Sequence, residues 1–389
     1  MKRRLVITTE IISPYRIPVF NVLAEHPEVD LHVIFLAETD PSMRRWKVYK
    51  DEIRFSYEVL PHWRRRVAGY NLLLNRGVAP ALERAQPDVI VCGGYGYLAS
   101  WRVLGWARRR KRPVFLWSES NQQDQRRGMP HVEMLKRRFI RACSGFVVPG
   151  KSAAAYVATF GVPRERIFVA PNAVDNAFFS REAEAARRRT AEMRRQFSLP
   201  EHYFLCVGRL VLSKGVFDLL EAYSRLAPEL RARWGLLFVG DGAEQPELEA
   251  RAADIHPGAI RFAGFAHREQ LAVYYALAEA LVFPTHTDPW GLVVNEAMAC
   301  GIPIIATDAG GCVADLVQDG CNGYVVPKAS PEKLSEALAK VAGSPDLNAA
   351  MGARSAQRIE QNSLQACAAG FVAAVHAAEV QSPGDSRSH

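Results

Sequence analysis

Short, unbroken apolar runs alternate with helical patterns along this chain, and they do so twice. In the first half the runs are Arg4–Thr9, His32–Leu36, Asp88–Cys92, Val114–Trp117, Gly145–Val148 and Ile167–Ala170. They are apolar at consecutive positions, not at every second one. A strand of that kind is buried on both faces, which calls for helices above and below it and so for a parallel sheet. Helical patterns fall between them at Ile17–Glu25, Leu98–Arg110, Val132–Arg141 and Lys151–Thr159. Pro18 sits in the first turn of its helix, where a missing N–H costs nothing. After a polar, Arg-rich stretch (Ser180–Arg195) the pattern restarts with Phe204–Val207, Leu236–Val239, Ile260–Phe262, Ala280–Phe283 and Ile304–Ala306. A helix at Pro331–Val341 and an Ala-rich amphipathic region to about Val380 follow. The alternation predicts an α/β fold of two doubly wound domains, linked near Asn172–Ser180, with a ligand cleft between them. We expect residues 1–175 and 176–365 as the two domains, 366–380 as a helix returning to the first, and 381–389 as a disordered tail.

With 389 residues, 49% of them hydrophobic, the chain fills two or three cores and is neither disordered nor a coiled coil. No apolar stretch is long enough to span a bilayer. The opening MKRRLVITTEIIS places Thr8, Thr9 and Glu10 where a secretory signal needs an apolar core, so a first strand is expected there. Seven cysteines without a CxxC pair indicate reduced thiols and no zinc knuckle, with Cys300 and Cys312 as buried thiols. A soluble, cytoplasmic protein is expected. Its net charge of +8 is segregated, because residues 1–175 hold 29 Lys+Arg against 16 Asp+Glu. Basic clusters lie at Arg64–Arg66, Arg108–Arg112, Arg126–Arg127 and Lys136–Arg138, with Trp63, Trp101 and Trp106 beside the first two. Two readings stand: an interface with an anionic membrane surface, or solvated helix faces with tryptophans in the core. Recognition helices, zinc spacing and aromatic-sheet signatures are missing, so no nucleic-acid partner is expected.

Three motifs carry chemistry. In VGRLVLSKG (Val207–Gly215), Gly208 permits close backbone approach while Arg209 and Lys214 offer a planar fork and a mobile point charge. Lys214 sits beside a helix N-terminus, where a cation is unfavourable unless an anion is present, and this hints at a phosphate-bearing ligand. In FVGDG (Phe238–Gly242) a strand ends in two glycines around Asp241, room for a base or sugar against the backbone. The most specific segment is Phe283–Gly311, FPTHTDPWGLVVNEAMACGIPIIATDAGG. There a loop with Asp288, Trp290 and Gly291 leads into a helix containing Glu296. Free amides of Gly291–Val293 at the helix start can receive phosphate or sugar oxygens, and two carboxylates can accept sugar hydroxyls. Capping by Asp288 and a surface position for Glu296 are the structural alternatives.

The order G-R-x4-K-G, V-G-D-G, an acidic pair eight positions apart with E-A-M-A-x-G-x-P, then G-G and D-G-x-x-G-Y resembles the C-terminal domain of glycosyltransferase family 4, retaining enzymes of the GT-B fold. PGKSAAAYVATFGVPRERIFVAPNAVD (Pro149–Asp175) and SPYRIPVFNVLAE extend the likeness over nearly the whole chain. The resemblance implies two facing Rossmann-like domains, the first on the acceptor side and the second binding a nucleotide sugar. It implies that Arg209 and Lys214 bind the donor diphosphate, that Glu296 holds ribose hydroxyls, and that Asp288 faces the donor sugar in place of the family's Glu. Gly240, Asp241, Gly242 and Phe265 would lie near the base, with Trp290, Gly291 and Leu292 at the donor.

Two further departures stand out: PNAVD carries Ala173 for the family's Gly, and Glu119 occupies the place of a frequent His. Glu119 is read as polarising the acceptor hydroxyl or holding a donor-sugar hydroxyl, or as a plain turn carboxylate. Ser13, Tyr15, Arg16 and His286 are the remaining cleft candidates. No Asp-x-Asp pair exists, so neither a metal nor another cofactor is expected, and cationic side chains and helix dipoles take that role. The expected partners are a UDP- or GDP-sugar, a glycan or lipid-linked acceptor of envelope polysaccharide or glycolipid assembly, and an anionic membrane surface. A nucleotide-sugar epimerase on the same fold and a non-catalytic sugar-nucleotide-binding partner are the alternatives.

Overall fold

A computed structural model describes residues 2–40, 47–67, 70–124, 130–256 and 258–381. They divide into two units: residues up to Asn172 together with the helix Leu364–Gln381, and Ala173–Ser363. The basic pair Arg126–Arg127 and the tail from 382 onward lie outside the described residues.

The first unit contains β1 (Arg3–Thr9), β2 (Val29–Phe35), β3 (Ser56–Val59), β4 (His62–Val67), β5 (Tyr70–Asn75), β6 (Val89–Gly93), β7 (Val114–Trp117), β8 (Gly145–Val148) and β9 (Ile167–Val169). Seven of these form one sheet in the order β3-β2-β1-β6-β7-β8-β9, every neighbouring pair parallel. The consecutive apolar residues explain why: all of β7 and β8, and Leu5–Ile7 of β1, are buried. Each fully buried Leu or Phe contributes roughly 1.5–3 kcal/mol. Helices Ile17–Glu25 and Leu364–Gln381 pack on one another, the latter also on β8 and β9, with Phe371 edge-on to Trp117 at 5.1 Å. Another core holds Val103, Leu104, Phe139 and Ile140 from helices Leu98–Arg109 and Pro130–Ala142.

The second unit contains β10 (His202–Val207), β11 (Trp234–Val239), β12 (Ile260–Phe262), β13 (Ala280–Phe283), β14 (Ile304–Thr307) and β15 (Gly323–Val326). They form a parallel sheet in the order β12-β11-β10-β13-β14-β15. Both sheets thus have the doubly wound order, met twice as the alternation predicts. In such a sheet the order reverses between the first and fourth strands, here β10 and β13. Loops leaving the carboxyl ends of those strands diverge there and frame a crevice.

Three segments differ from the sequence expectation. The Arg-rich stretch from Ser180 is helical (Asn176–Arg188, then Thr190–Gln196), started by Asp175, whose carboxylate accepts the Phe178 amide at 2.9 Å. That cap ends the expected linker at Asp175, because it satisfies an amide that the first turn leaves open. β3 and the antiparallel β4–β5 hairpin lack full burial on both faces, with Leu73 and Asn75 of the hairpin buried but Trp63, Leu72 and Leu74 exposed. β15, GYVV, is a short strand directly after the turn at Gly320, which breaks its apolar run.

Candidate functional site

Three loops meet at the carboxyl edge of the second sheet. Gly208 follows β10 and donates its amide to Val239 O at 2.9 Å; the Leu210 amide reaches Asp241 O at 2.8 Å, which ties the β10 and β11 loops together. This approach needs glycine at 240: φ is +134° and a Cβ there would lie 1.9 Å from Gly208 O. On the other side, His286 N donates to Ser213 O at 3.0 Å and Thr285 Oγ1 to the same carbonyl at 3.2 Å. Gly215, at φ +63°, completes the seam, since a Cβ would sit 1.9 Å from Pro284 O. The reversal of strand order, not any single motif, brings these segments together.

The charges follow from that frame. Lys214 ends a short 3-10 turn immediately before the helix Val216–Ser224, a place where the helix dipole disfavours a cation. Two carboxylates offset it. Asp288, from the β13 loop, forms an ion pair with Lys214, and both side chains are largely screened from solvent. Asp218, in the first turn of the helix, is held by His286 Nε2 at 2.7 Å. Arg209 differs: it is exposed, and no hydrogen bond or ion pair engages its guanidinium among the described residues. Asp288 also accepts the Trp290 amide at 3.1 Å, a local side-chain turn in the loop just ahead of the helix Leu292–Ala299, whose start has no side-chain cap. Gly291 is the residue before that helix, in the left-handed region.

Several expected contacts take a different form. Trp290 is buried, its indole N–H donating to Asn295 Oδ1 at 2.9 Å, so it shapes the loop from within. Glu296 is fully buried and accepts the Tyr275 hydroxyl at 2.6 Å, linking the helices Arg268–Leu277 and Leu292–Ala299 in the interior. Phe265 is exposed, edge-on to His267 at 5.1 Å. Cys300 and Cys312 are buried free thiols, and burial pushes both pKa values up. Sequence reasoning missed Asp218, Tyr275 and Asn295, whose only signal was a helical apolar period.

In the first unit a second cluster sits at the carboxyl ends of β1, β7 and β9. Arg16 is ion-paired with Glu119, donates to Asn172 Oδ1 at 2.9 Å and stacks on Trp117 at 4.3 Å from the ring centroid. Two of the cleft candidates are therefore direct partners. Ser13 contributes its carbonyl, which accepts the Arg16 amide at 2.9 Å, and Tyr15 stands half-buried between them in sequence. Trp106 donates to Glu83 Oε1 at 2.8 Å from a buried position and Trp101 packs edge-on against Phe139, so neither ring faces outward. For these two tryptophans the headgroup reading is corrected: their rings complete the apolar interior.

Two family profiles match the chain, Glycosyltransferase Family 4 over residues 23–178 and Glycosyl transferases group 1 over residues 189–358. D-inositol 3-phosphate glycosyltransferase of Xylanimonas cellulosilytica is 31% identical over 220 residues, 54% of this chain and 51% of that protein. Alpha-D-kanosaminyltransferase of Streptomyces kanamyceticus is 30% identical over 200 residues, 50% of each chain. The chain thus spans about half the length of the curated relatives it matches. Among solved structures, Anabaena HepE crystallised with UDP superposes with a TM-score of 0.75 at 17% identity, covering 97% of this chain and 100% of that one. Sucrose-phosphate synthase of Thermosynechococcus elongatus gives 0.71 at 21% identity, covering 96% and 98%. These structural likenesses show a shared GT-B fold. Two doubly wound sheets, the loop motifs that meet at the edge of the second, and two consecutive family profiles converge on one assignment: the chain belongs to the glycosyltransferase family 4 group of GT-B proteins.

Proposed function

We propose that the chain transfers a hexosyl group from a UDP- or GDP-linked donor to an acceptor hydroxyl, with retention of configuration, in envelope polysaccharide or glycolipid assembly at the cytoplasmic side of a membrane. One observation carries the reading: Arg209, an expected phosphate-binding side chain that nothing engages among the described residues, projects from the loop whose Lys214 is paired with Asp288. An incoming diphosphate would take both cations. Gly208, Gly240, Asp241, Gly242 and Phe265 would then flank the base, and the Gly291 and Leu292 amides would face the phosphate or sugar. Glu296 would act as a positioning residue that fixes the helix presenting those amides.

Chemistry follows from charge. As the bond from the sugar C1 to the diphosphate oxygen breaks, negative charge grows on that oxygen, and Arg209 and Lys214 stabilise it. The acceptor hydroxyl attacks C1 from the same face, its proton passes to the departing phosphate oxygen, and a new C1–O bond forms. Arg16 and Glu119 belong to the acceptor side of this scheme. No metal is needed in it.

A thermal-shift panel of UDP-, GDP- and ADP-sugars tests the donor, since a ligand at 100 times its Kd adds about 2.7 kcal/mol of stability. One nucleotide should raise Tm clearly above the others, and transfer to an acceptor should persist in EDTA. No shift with any of them would sink the reading; turnover without an acceptor would mark an epimerase instead. The Lys214–Asp288 pair adds a sharper test. Asp288→Asn should free Lys214 and tighten binding of the nucleoside diphosphate alone by about 2–5-fold, the worth of a part-exposed ion pair. Sugar transfer by the same variant should fall. Unchanged or weaker diphosphate binding would show that the pair does not compete with the ligand.

A further inference from the structure

Two elements of the first unit leave apolar side chains in solvent, and both flank the same helix. In helix Pro130–Ala142 the buried residues are Phe139 and Ile140, while Val132, Met134 and Leu135 are 49%, 64% and 46% exposed. Met134, Arg137, Arg138 and Arg141 line, with Arg108 of the helix Leu98–Arg109, a groove of about 570 Å³. No hydrogen bond or ion pair engages the guanidinium groups of Arg108, Arg138 or Arg141 among the described residues, whereas Arg110 and Arg112 are neutralised by Glu83 and Asp88. In the β4–β5 hairpin, Trp63 is paired with Leu74 and Arg65 with Leu72. Alternation puts these four on one face, with Trp63, Leu72 and Leu74 at 50%, 43% and 36% exposure. The opposite face carries buried Leu73 and Arg64, which is ion-paired with Glu10 at the end of β1. Arg102 Nη1 donates to Asn75 O at 2.6 Å and Trp101 packs on Phe139, so hairpin and helix lie on either side of Leu98–Arg109.

We infer that this outer layer is a docking surface for an anionic lipid bilayer. The inference deepens the glycolipid reading above by naming the surface on which a lipid-linked acceptor would be met. The occupant follows from the chemistry. A protein partner buries a contiguous apolar centre inside a polar rim. Here single apolar side chains alternate with arginines on two separate elements, and Glu133 is the one acid lining the groove. That pattern suits a headgroup layer, where Met134, Leu135 and Trp63 enter the acyl boundary and each guanidinium meets a lipid phosphate. Charge and apolar insertion supply the two signals that stable peripheral anchoring takes.

The test is sedimentation of the full chain with vesicles of phosphatidylcholine alone, or with roughly one-third phosphatidylglycerol, at low and high salt. Pelleting with the anionic vesicles should be strong at low salt and weak at high salt. Arg138→Glu with Arg141→Glu should lower the partition coefficient about tenfold or more, and Met134→Glu with Leu135→Glu should lower it at either salt. Trp63→Ser examines the hairpin independently. All positions are exposed, so Tm and transfer to a water-soluble acceptor should stay as in the parent chain. Equal pelleting with neutral vesicles, absence of pelleting, or variants that pellet like the parent would overturn the docking surface and leave the transferase reading standing. A chain that binds anionic vesicles yet transfers no sugar would overturn the reverse.

Discussion

Arg209→Ala should lower turnover about 10²–10³-fold, the loss typical of removing one preorganised charge partner from a transition state. The same substitution should leave Tm within about 1–2 °C, because exposed positions without structural partners shift stability by no more than roughly 0.5 kcal/mol. Both halves follow from one fact: Arg209 is exposed and unengaged, and so contributes nothing to the fold that its loss could remove. Lys214 makes the contrast. It is tied to Asp288 and lies beside a helix start, so Lys214→Ala alters the ligand-free loop as well as the reaction. Arg209→Lys should recover only part of the activity, since an ammonium cannot reproduce the two-pronged contact with a diphosphate. Near-parental turnover in Arg209→Ala would remove it from the reaction, whatever nucleotide the protein binds.

Gly215→Ala should be among the most damaging single methyl additions in the second unit. Its φ of +63° costs a non-glycine residue about 1–2 kcal/mol. The new Cβ would also stand 1.9 Å from Pro284 O, a backbone atom fixed by the end of β13. Relieving that overlap means separating the two loops, which adds roughly 1–3 kcal/mol as overpacking does. A combined loss of about 2–5 kcal/mol lowers Tm by roughly 5–15 °C at this domain size. Gly264→Ala is the control. It has a similar φ of +71° with nothing within 4 Å of its Cβ, so only the backbone cost remains and the drop should be about a third as large. Equal Tm values for the two variants would show that the seam between the loops yields freely.

The parts of this architecture that the sequence made legible share one property: they depend on burial along a strand. Phe204–Val207 and Ala280–Phe283 announce strands because every residue is apolar, and two-sided burial permits only a parallel sheet. The hairpin was invisible for the converse reason. HWRRRV sets three consecutive arginines behind one tryptophan that faces outward, so its pattern resembles a polar loop. At the site, residue types and loops could be named, but pairings could not. Nothing in the spacing between Lys214 and Asp288 says that they touch; the contact arises because β10 and β13 are neighbours in space though three strands apart in the chain. The same gap explains Glu296, whose position on a helix was legible while its burial against Tyr275 depends on a helix from a distant segment. Arg16 and Glu119 joined in the same way, through the register of β1, β6 and β7.

The helix Leu364–Gln381 belongs to the unit that begins the chain, with Phe371 seated on Trp117. During synthesis, Trp117 must therefore wait until all of the second unit has been made before its covering ring exists. The second unit can finish meanwhile, because all its strands precede Ser363. A nascent chain of this kind completes its second unit before its first, and a stop just before Leu364 would damage the unit whose strands were translated earlier.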